Sequence, residues 1–134
     1  MELKNIMAIS ASALRAQSLR MRVIAENLAN SDSIAAKPGA EPYRRKVVNF
    51  EPTDIGGAGQ GVSISSVGQD QSAFKRALRP GAPSADANGY IDLPNVNTAM
   101  EMVDMQSAQR SYEANLSAIQ ASKNLTMRTI DLLK

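Results

Sequence analysis

Several stretches of this 134-residue chain have residue types and spacing that could support chemistry. Gly57, Gly59 and Gly61 lie close enough to suggest a loop whose N–H groups cradle phosphate. Such a loop needs a strand before it, a helix after it and, for a P-loop, a Gly-Lys-Ser/Thr ending. Extended Ser- and Val-containing sequence follows instead, so a flexible turn fits better. Asp86-Ala87-Asn88-Gly89 opens like a calcium loop but lacks the later ligands and the closing Glu, which again leaves a turn. Glu101, Asp104 and Glu113 share one segment with Arg110 and could pair for general acid–base work. Nothing in the sequence builds a pocket around them, and Arg110 with Glu113, three apart, suits a helix-face ion pair. Tyr43-Arg44-Arg45-Lys46 is the one basic run and could meet nucleic acid or acidic lipid. A strand edge protected by charge, or ion pairs with a neighbouring subunit, suits it better.

Composition removes much of the remaining chemistry. His, Cys and Trp are absent, which excludes a His-based triad, a Cys/His zinc site, a thiol nucleophile and any disulfide framework. Fifteen basic against thirteen acidic side chains leave +2, too near balance to argue for a nucleic-acid partner. No catalytic residue, cofactor, metal or small-molecule substrate is expected. No stretch approaches ~18 uninterrupted apolar residues, so the chain is not expected to span a membrane. The apolar run Ile6–Ile9 is broken by Ser10 and Ser12 and is too short for a secretory signal. Export, if it occurs, must use a route that does not read or remove one.

The elements that would hold these groups are marked by the breakers. All eight glycines and all six prolines lie between Pro38 and Pro94. Inside a helix Gly costs about 1 kcal/mol and Pro about 3 kcal/mol, so residues 1–37 and 95–134 read as helical arms around a broken middle, 38–94. In the first arm Met7, Leu14, Met21 and Leu28 recur at spacing seven, with Leu3 and Ile24 beside them. A helix is predicted over Leu3–Ala29, ending where Asn30-Ser31-Asp32-Ser33 compete for backbone hydrogen bonds. The second arm opens at Pro94-Asn95-Val96-Asn97-Thr98, where Thr98 followed by Glu101 forms a capping-box pattern. A 4-3 stripe then runs through Met102, Met105, Tyr112, Leu116, Ile119, Ile130 and Leu133, predicting a helix to about Leu133. Two stripes of period ~3.5 suggest a mainly α fold, its arms paired as an antiparallel coiled coil.

The middle reads as a short β-hairpin and loops. Tyr43–Phe50 and Gly61–Val67 suit strands, Gly56–Gly61 a turn between them, and Pro80–Gly89 a loop. Off the stripes, the arms are rich in Ala, Ser, Gln and Asn rather than charge, which suits either the helix propensity of Ala alone or, the favoured reading, close packing by neighbouring subunits. Asn27, Asn30 and Asn115 lie on or beside the stripes. For Asn27, capping and a register-fixing interface are both open; for Asn115 the interface is favoured.

The motifs carry a family resemblance. Ala25-Glu26-Asn27-Leu28-Ala29-Asn30 resembles the Ala-x-Asn-Leu-Ala-Asn signature of bacterial flagellar rod and hook proteins. Pro42-Tyr43-Arg44-Arg45-Lys46, Ala85-Asp86-Ala87-Asn88-Gly89-Tyr90, Pro94-Asn95-Val96-Asn97, Glu101-Met102-Val103-Asp104-Met105 and Arg110-Ser111-Tyr112-Glu113-Ala114-Asn115 match in order. Glu26 departs from the family's usual small polar residue, and Ala82-Pro83-Ser84 from its usual sequence there. Within this family the length suits a proximal-rod member, since distal-rod and hook members are much longer.

The resemblance implies a structural subunit of the hollow drive shaft in the basal body, in its periplasmic rod section. It implies export by the flagellar type III system without a cleaved signal. Expected partners are further copies of the chain, other proximal- and distal-rod proteins, export-gate and MS-ring adaptors, and the surrounding ring bushing. The expected assembly surface takes in Met7, Leu14, Met21, Ile24, Asn27, Leu28, Asn30, Tyr43, Arg44, Arg45, Asn95, Asn97, Met102, Met105, Arg110, Tyr112, Asn115, Leu116, Ile119, Ile130 and Leu133. The rival class is a cytoplasmic helical adaptor using one arm as a groove ligand.

Overall fold

The computed structural model describes residues 2–57 and 59–133. The breaker-free ends are helical: α1 spans Glu2–Ala29 and α2 spans Thr98–Leu132. Neither contains Gly or Pro, so every interior residue can donate its N–H along the ladder. Polar side chains close the first helix. Asn30 Nδ2 donates to the Glu26 carbonyl at 2.9 Å and Ser31 Oγ to that of Leu28 at 2.8 Å, each a second bond to a carbonyl that already accepts the backbone N–H of the same residue at 3.1 and 3.3 Å.

The start of α2 corrects the expected capping box. Asn97 is the cap: its Oδ1 accepts from the N–H groups of Ala99 and Met100 at 3.1 and 3.3 Å. Glu101 does not reach back to Thr98 but turns into the interior, with 1% of its surface exposed.

Between the helices lie two hairpins rather than one. Strands β1, Lys46–Asp54, and β2, Gln60–Gln69, pair through a turn closed by Ile55 N–H on the Gly59 carbonyl at 3.1 Å. Strands β3, Lys75–Leu78, and β4, Tyr90–Leu93, pair antiparallel with Lys75 opposite Leu93 and Leu78 opposite Tyr90. Helix accounts for 48% of the described residues and strand for 21%, so "mainly α" understates the middle. The second hairpin escapes periodicity because its four-residue strands carry no sustained apolar–polar alternation. The turn expected at Asp86–Gly89 is present. Asp86 Oδ1 accepts from the N–H groups of Asn88 and Tyr90, both at 2.9 Å, and Gly89 takes a φ of +81° that a side chain would strain.

The chain divides into two compact units, each taking opposite ends of the two helices. Unit 1 comprises Met1–Met21, Val48–Ser66 and Gln106–Lys134; unit 2 comprises Arg22–Val47 and Val67–Met105. The buried residues of unit 1 are small: Ser10, Ser12, Ala16, Gly61, Ala108 and Ser122. Unit 2 buries Val23, Ile24, Ile91, Pro94 and Val96 together with Asn27, Asn95 and Glu101.

Gly61 lies within β2 rather than in the turn. It is buried where the strand meets α1, and the Val62 N–H donates to Ser12 Oγ at 3.1 Å. A Cβ at Gly61 would come within 2.5 Å of Ser12 Oγ and closer still to the Ile55 side chain. Gly61→Ala should therefore destabilise unit 1 by about 1–3 kcal/mol. Urea unfolding followed by circular dichroism measures it, and an unchanged midpoint would show that the strand has room to shift.

Candidate assembly site

The best-defined polar constellation lies in unit 2 and is built on Asn27, in the last turn of α1. Asn27 is 1% exposed, so all four hydrogen-bonding positions of its amide must find partners inside the protein. They do. Oδ1 accepts from Tyr43 Oη at 2.8 Å and from the Lys46 N–H at 2.9 Å. Nδ2 donates to the Lys46 carbonyl at 2.9 Å and to Glu101 Oε2 at 3.1 Å. An aspartate could not donate to Glu101, and an apolar side chain would orphan both backbone groups of Lys46.

The other oxygen of Glu101 accepts from Arg45 Nε at 2.5 Å. The Arg45 guanidinium also lies 3.5 Å from Asp70 and 3.8 Å from Asp104. Its backbone is held as firmly, with the Arg45 N–H on Asn95 Oδ1 at 2.7 Å and the Arg45 carbonyl accepting from the Asp70 N–H at 2.8 Å. Asn95 in turn donates to the Asp70 carbonyl at 2.9 Å and to Ser72 Oγ at 3.0 Å. A buried carboxylate is tolerated when its partners are as well fixed as these.

The neighbours of Arg45 complete the set. Arg44 stacks on the Phe74 ring, 4.2 Å from its centroid, and donates to the Asp70 carbonyl at 3.2 Å. Lys46 Nζ lies 2.5 Å from Glu26 Oε1. The basic run Tyr43–Lys46 therefore finds its partners within its own chain. Glu26 thus supplies the acid for Lys46.

Titration follows this packing. Burial, and then the charges of Glu26 and Glu101, push the Tyr43 hydroxyl up to about 12 from its ordinary 10.0. Burial acts to lower Arg45, but the hydrogen bond and charge of Glu101, with Asp70 and Asp104, outweigh it and the net shift is upward. Asp70 is held below the usual carboxylate range, first by the Ser72 N–H and hydroxyl and then by Arg45.

Such a constellation fastens segments together; its donors and acceptors already face one another. Among the described residues no group of three or more Asp or Glu is arranged to hold a metal ion, and no helix is long and apolar enough to cross a membrane.

Of the residues expected at an assembly surface, Ile24, Asn27 and Asn95 are buried. Met7, Leu14, Met21, Leu28, Asn30, Tyr43, Arg44, Arg45, Met105, Tyr112, Asn115 and Ile119 are half-buried, and Asn97, Met102, Arg110, Leu116, Ile130 and Leu133 are exposed. The structure gathers Asn27, Tyr43, Arg45 and Asn95 into one cluster and leaves the Met and Leu rows outside it. Asn115 donates to the Ser111 carbonyl of its own helix at 2.7 Å. Among the described residues no ion pair joins Arg110 to Glu113, which lie exposed on α2. Sequence reasoning missed Glu101, Asp70, Ser72 and Phe74 as members of the cluster. One signal for Glu101 was present: it stands seven residues before Ala108, on the row that continues through Met105 and Tyr112.

Comparison with known proteins agrees with the motifs. A family described as "Flagellar basal body rod FlgEFG protein C-terminal" matches residues 87–132. Relatives named flagellar basal-body rod protein FlgC match almost end to end. The one from Agrobacterium fabrum is 45% identical over 128 residues, covering 94% of this chain and 91% of the relative. That of Salmonella typhimurium is 45% identical over 133 residues, 98% of each, and that of Bacillus subtilis 42% identical over 142 residues, 94% and 95%. The chain belongs to the FlgC family. It is a structural protein of the flagellar basal-body rod, not an enzyme, and the adaptor alternative gives way to that assignment.

Two outcomes test the cluster. Asn27→Ala leaves the Lys46 backbone and Glu101 short of partners and should cost about 3 kcal/mol in urea unfolding. The second concerns alkaline pH. Because the folded state raises the Tyr43 pKa above 10.0, its contribution is complete below pH 10 and is lost as pH climbs towards about 12. Melting curves between pH 9 and 12 should show that loss in the parent chain and a shallower one in Tyr43→Phe.

Proposed function

We propose that this rod protein is a proximal-rod subunit that stacks helically into a hollow shaft, transmits torque, and lets later subunits pass through its centre. The observation that carries this reading is the distribution of apolar side chains on α2. The row of lowest exposure runs Glu101, Met105, Ala108, Tyr112, Asn115, Ile119, Ser122 and Thr126, spaced alternately four and three. Half of those residues are polar and one is alanine. Met100, Met102, Val103, Leu125, Met127, Ile130 and Leu133 instead stand 51–84% exposed. A helix whose inner row is half polar, and which leaves this many large apolar residues outside, is suited to covering by other chains.

Within each unit we read α1 and α2 as an antiparallel, coiled-coil-like pair, supported by the 4-3 spacing and by the Asn27–Glu101 bond. Residues 1–37 and 95–134 are the tube-forming arms, and 38–94 is the segment that reaches neighbouring subunits. The exposed members of the expected interface (Asn97, Met102, Arg110, Leu116, Ile130 and Leu133) meet other chains directly, and the buried ones hold the arms in place. Partners are other copies and other rod proteins, with export-gate and MS-ring adaptors and the ring bushing at the ends and periphery. The location is the periplasmic rod, reached through flagellar type III export.

Unit 1 is the part that depends most on company. Its buried residues are Ser, Ala and Gly, and at roughly 25 cal/mol per Å² such side chains contribute little burial energy. Gln17 Oε1 is buried there without a partner among the described residues. In a dilute monomer, amide exchange should be fast through residues 106–133 and slow through Ile91–Glu101. Uniform protection of both would contradict the proposal. Truncation after Lys123, which removes Leu125, Ile130 and Leu133, should abolish recovery of the protein with detergent-extracted basal bodies, and with it swimming. Normal swimming by that strain would be incompatible with the shaft role.

A further inference from the structure

Unit 1 contains a groove that its own side chains leave open. Between α1 and the β1–β2 hairpin lies a cavity of about 440 Å³, lined by apolar Ala16, Leu19, Val62 and Ile64 and by the charged Arg15 and Asp54. Its volume falls within the ~300–1,000 Å³ of pockets that enclose a bound group. It lies beside the point where Gly61 lets β2 approach Ser12. Arg15 and Asp54 are both exposed, so the groove offers one charge of each sign beside an apolar strip.

The same unit presents an uncovered ridge. In the last turns of α2, Leu125 is 53% exposed, Leu132 87% and Leu133 84%. Arg128 and Asp131, also exposed, lie between them. Leu125, Arg128 and Leu132, at i, i+3 and i+7, share one face of the helix, with Asp131 beside it. Groove and ridge therefore match in kind: an apolar strip with one cation and one anion on each. Leucines this exposed are not seated in the groove of their own chain, so a match between these surfaces must join two molecules.

We propose that the last turns of α2 from a second copy of this chain seat in the groove, with Leu132 against Leu19 and Ile64, Asp131 towards Arg15, and Arg128 towards Asp54. This contact joins two different surfaces of the subunit. Repeated from copy to copy it extends rather than closing on itself as a two-fold dimer would. It rests on the rod reading and names one of the contacts that stacking needs.

The chain has no cysteine, so disulfide trapping can be done without removing native thiols. Leu19→Cys with Leu132→Cys is one pair. Ser63→Cys with Asp131→Cys, at the groove rim, is a second that leaves both leucines in place. Recovery of the parent chain in detergent-extracted basal bodies tests the rod reading by itself. After mild oxidation of basal bodies holding the double variants, a ladder of dimers and larger multimers is expected, absent from each single variant. Double variants that enter the basal body yet give no cross-link, or cross-link only to a different protein, would overturn the groove contact and leave the rod reading standing. A product that stops at the dimer would overturn the head-to-tail arrangement.

Discussion

A carboxylate out of reach of water sets the terms for unit 2. Glu101 is almost fully enclosed, and in a medium of low dielectric an unpaired charge there would cost several kcal/mol. That requirement fixes Arg45, which supplies the charge, and Asn27, which supplies the second hydrogen bond. Arg45 can hold its position only because Asn95 and Asp70 grip its backbone on both sides. Asn27 likewise holds Lys46 through both backbone groups, and Tyr43 through its hydroxyl. Four separate stretches of chain are thereby tied to one acidic side chain. None of the ties can be exchanged for an apolar contact without stranding a polar group beside it.

Unit 1 follows a different logic. Its interior is made of serine, alanine and glycine, which allow close approach but remove little apolar area from water. The charge cluster of unit 2 has no counterpart among its described ion pairs. One part of the molecule is fixed by directed, saturated bonds and the other by shape.

Much of this was legible beforehand. The confinement of every Gly and Pro to residues 38–94 marked the two helical arms, and the polar run Asn30–Ser33 and the Thr98–Glu101 spacing brought their inner ends to within a residue or two. The motifs from Ala25 to Asn115 identified the rod family. The inward face of α2 was harder to read. Periodicity ranks positions by apolarity, and here the inner row includes Glu101, Ser122 and Thr126 while Met102 and Leu133 point outward. The pattern Thr98-x-x-Glu101 suggested a cap, but Asn97 already held that position, freeing the glutamate to turn inward. Strands β3 (Lys-Arg-Ala-Leu) and β4 (Tyr-Ile-Asp-Leu) are short and carry no sustained apolar–polar alternation, and only the Asp86–Gly89 turn marked that hairpin. That Asn27 lies within the chain rather than between chains depends on Tyr43, Lys46 and Glu101, the last of them 74 positions away.

That separation bears on timing. A growing chain that has produced Asn27 and Arg45 still lacks the acid they must meet, and closing so long a loop carries an entropic cost that is recovered only at the end. Until Glu101 arrives the cluster cannot form, and the early segments remain free to be handled as an open thread. The fastening that makes the finished part rigid is therefore withheld from the unfinished one.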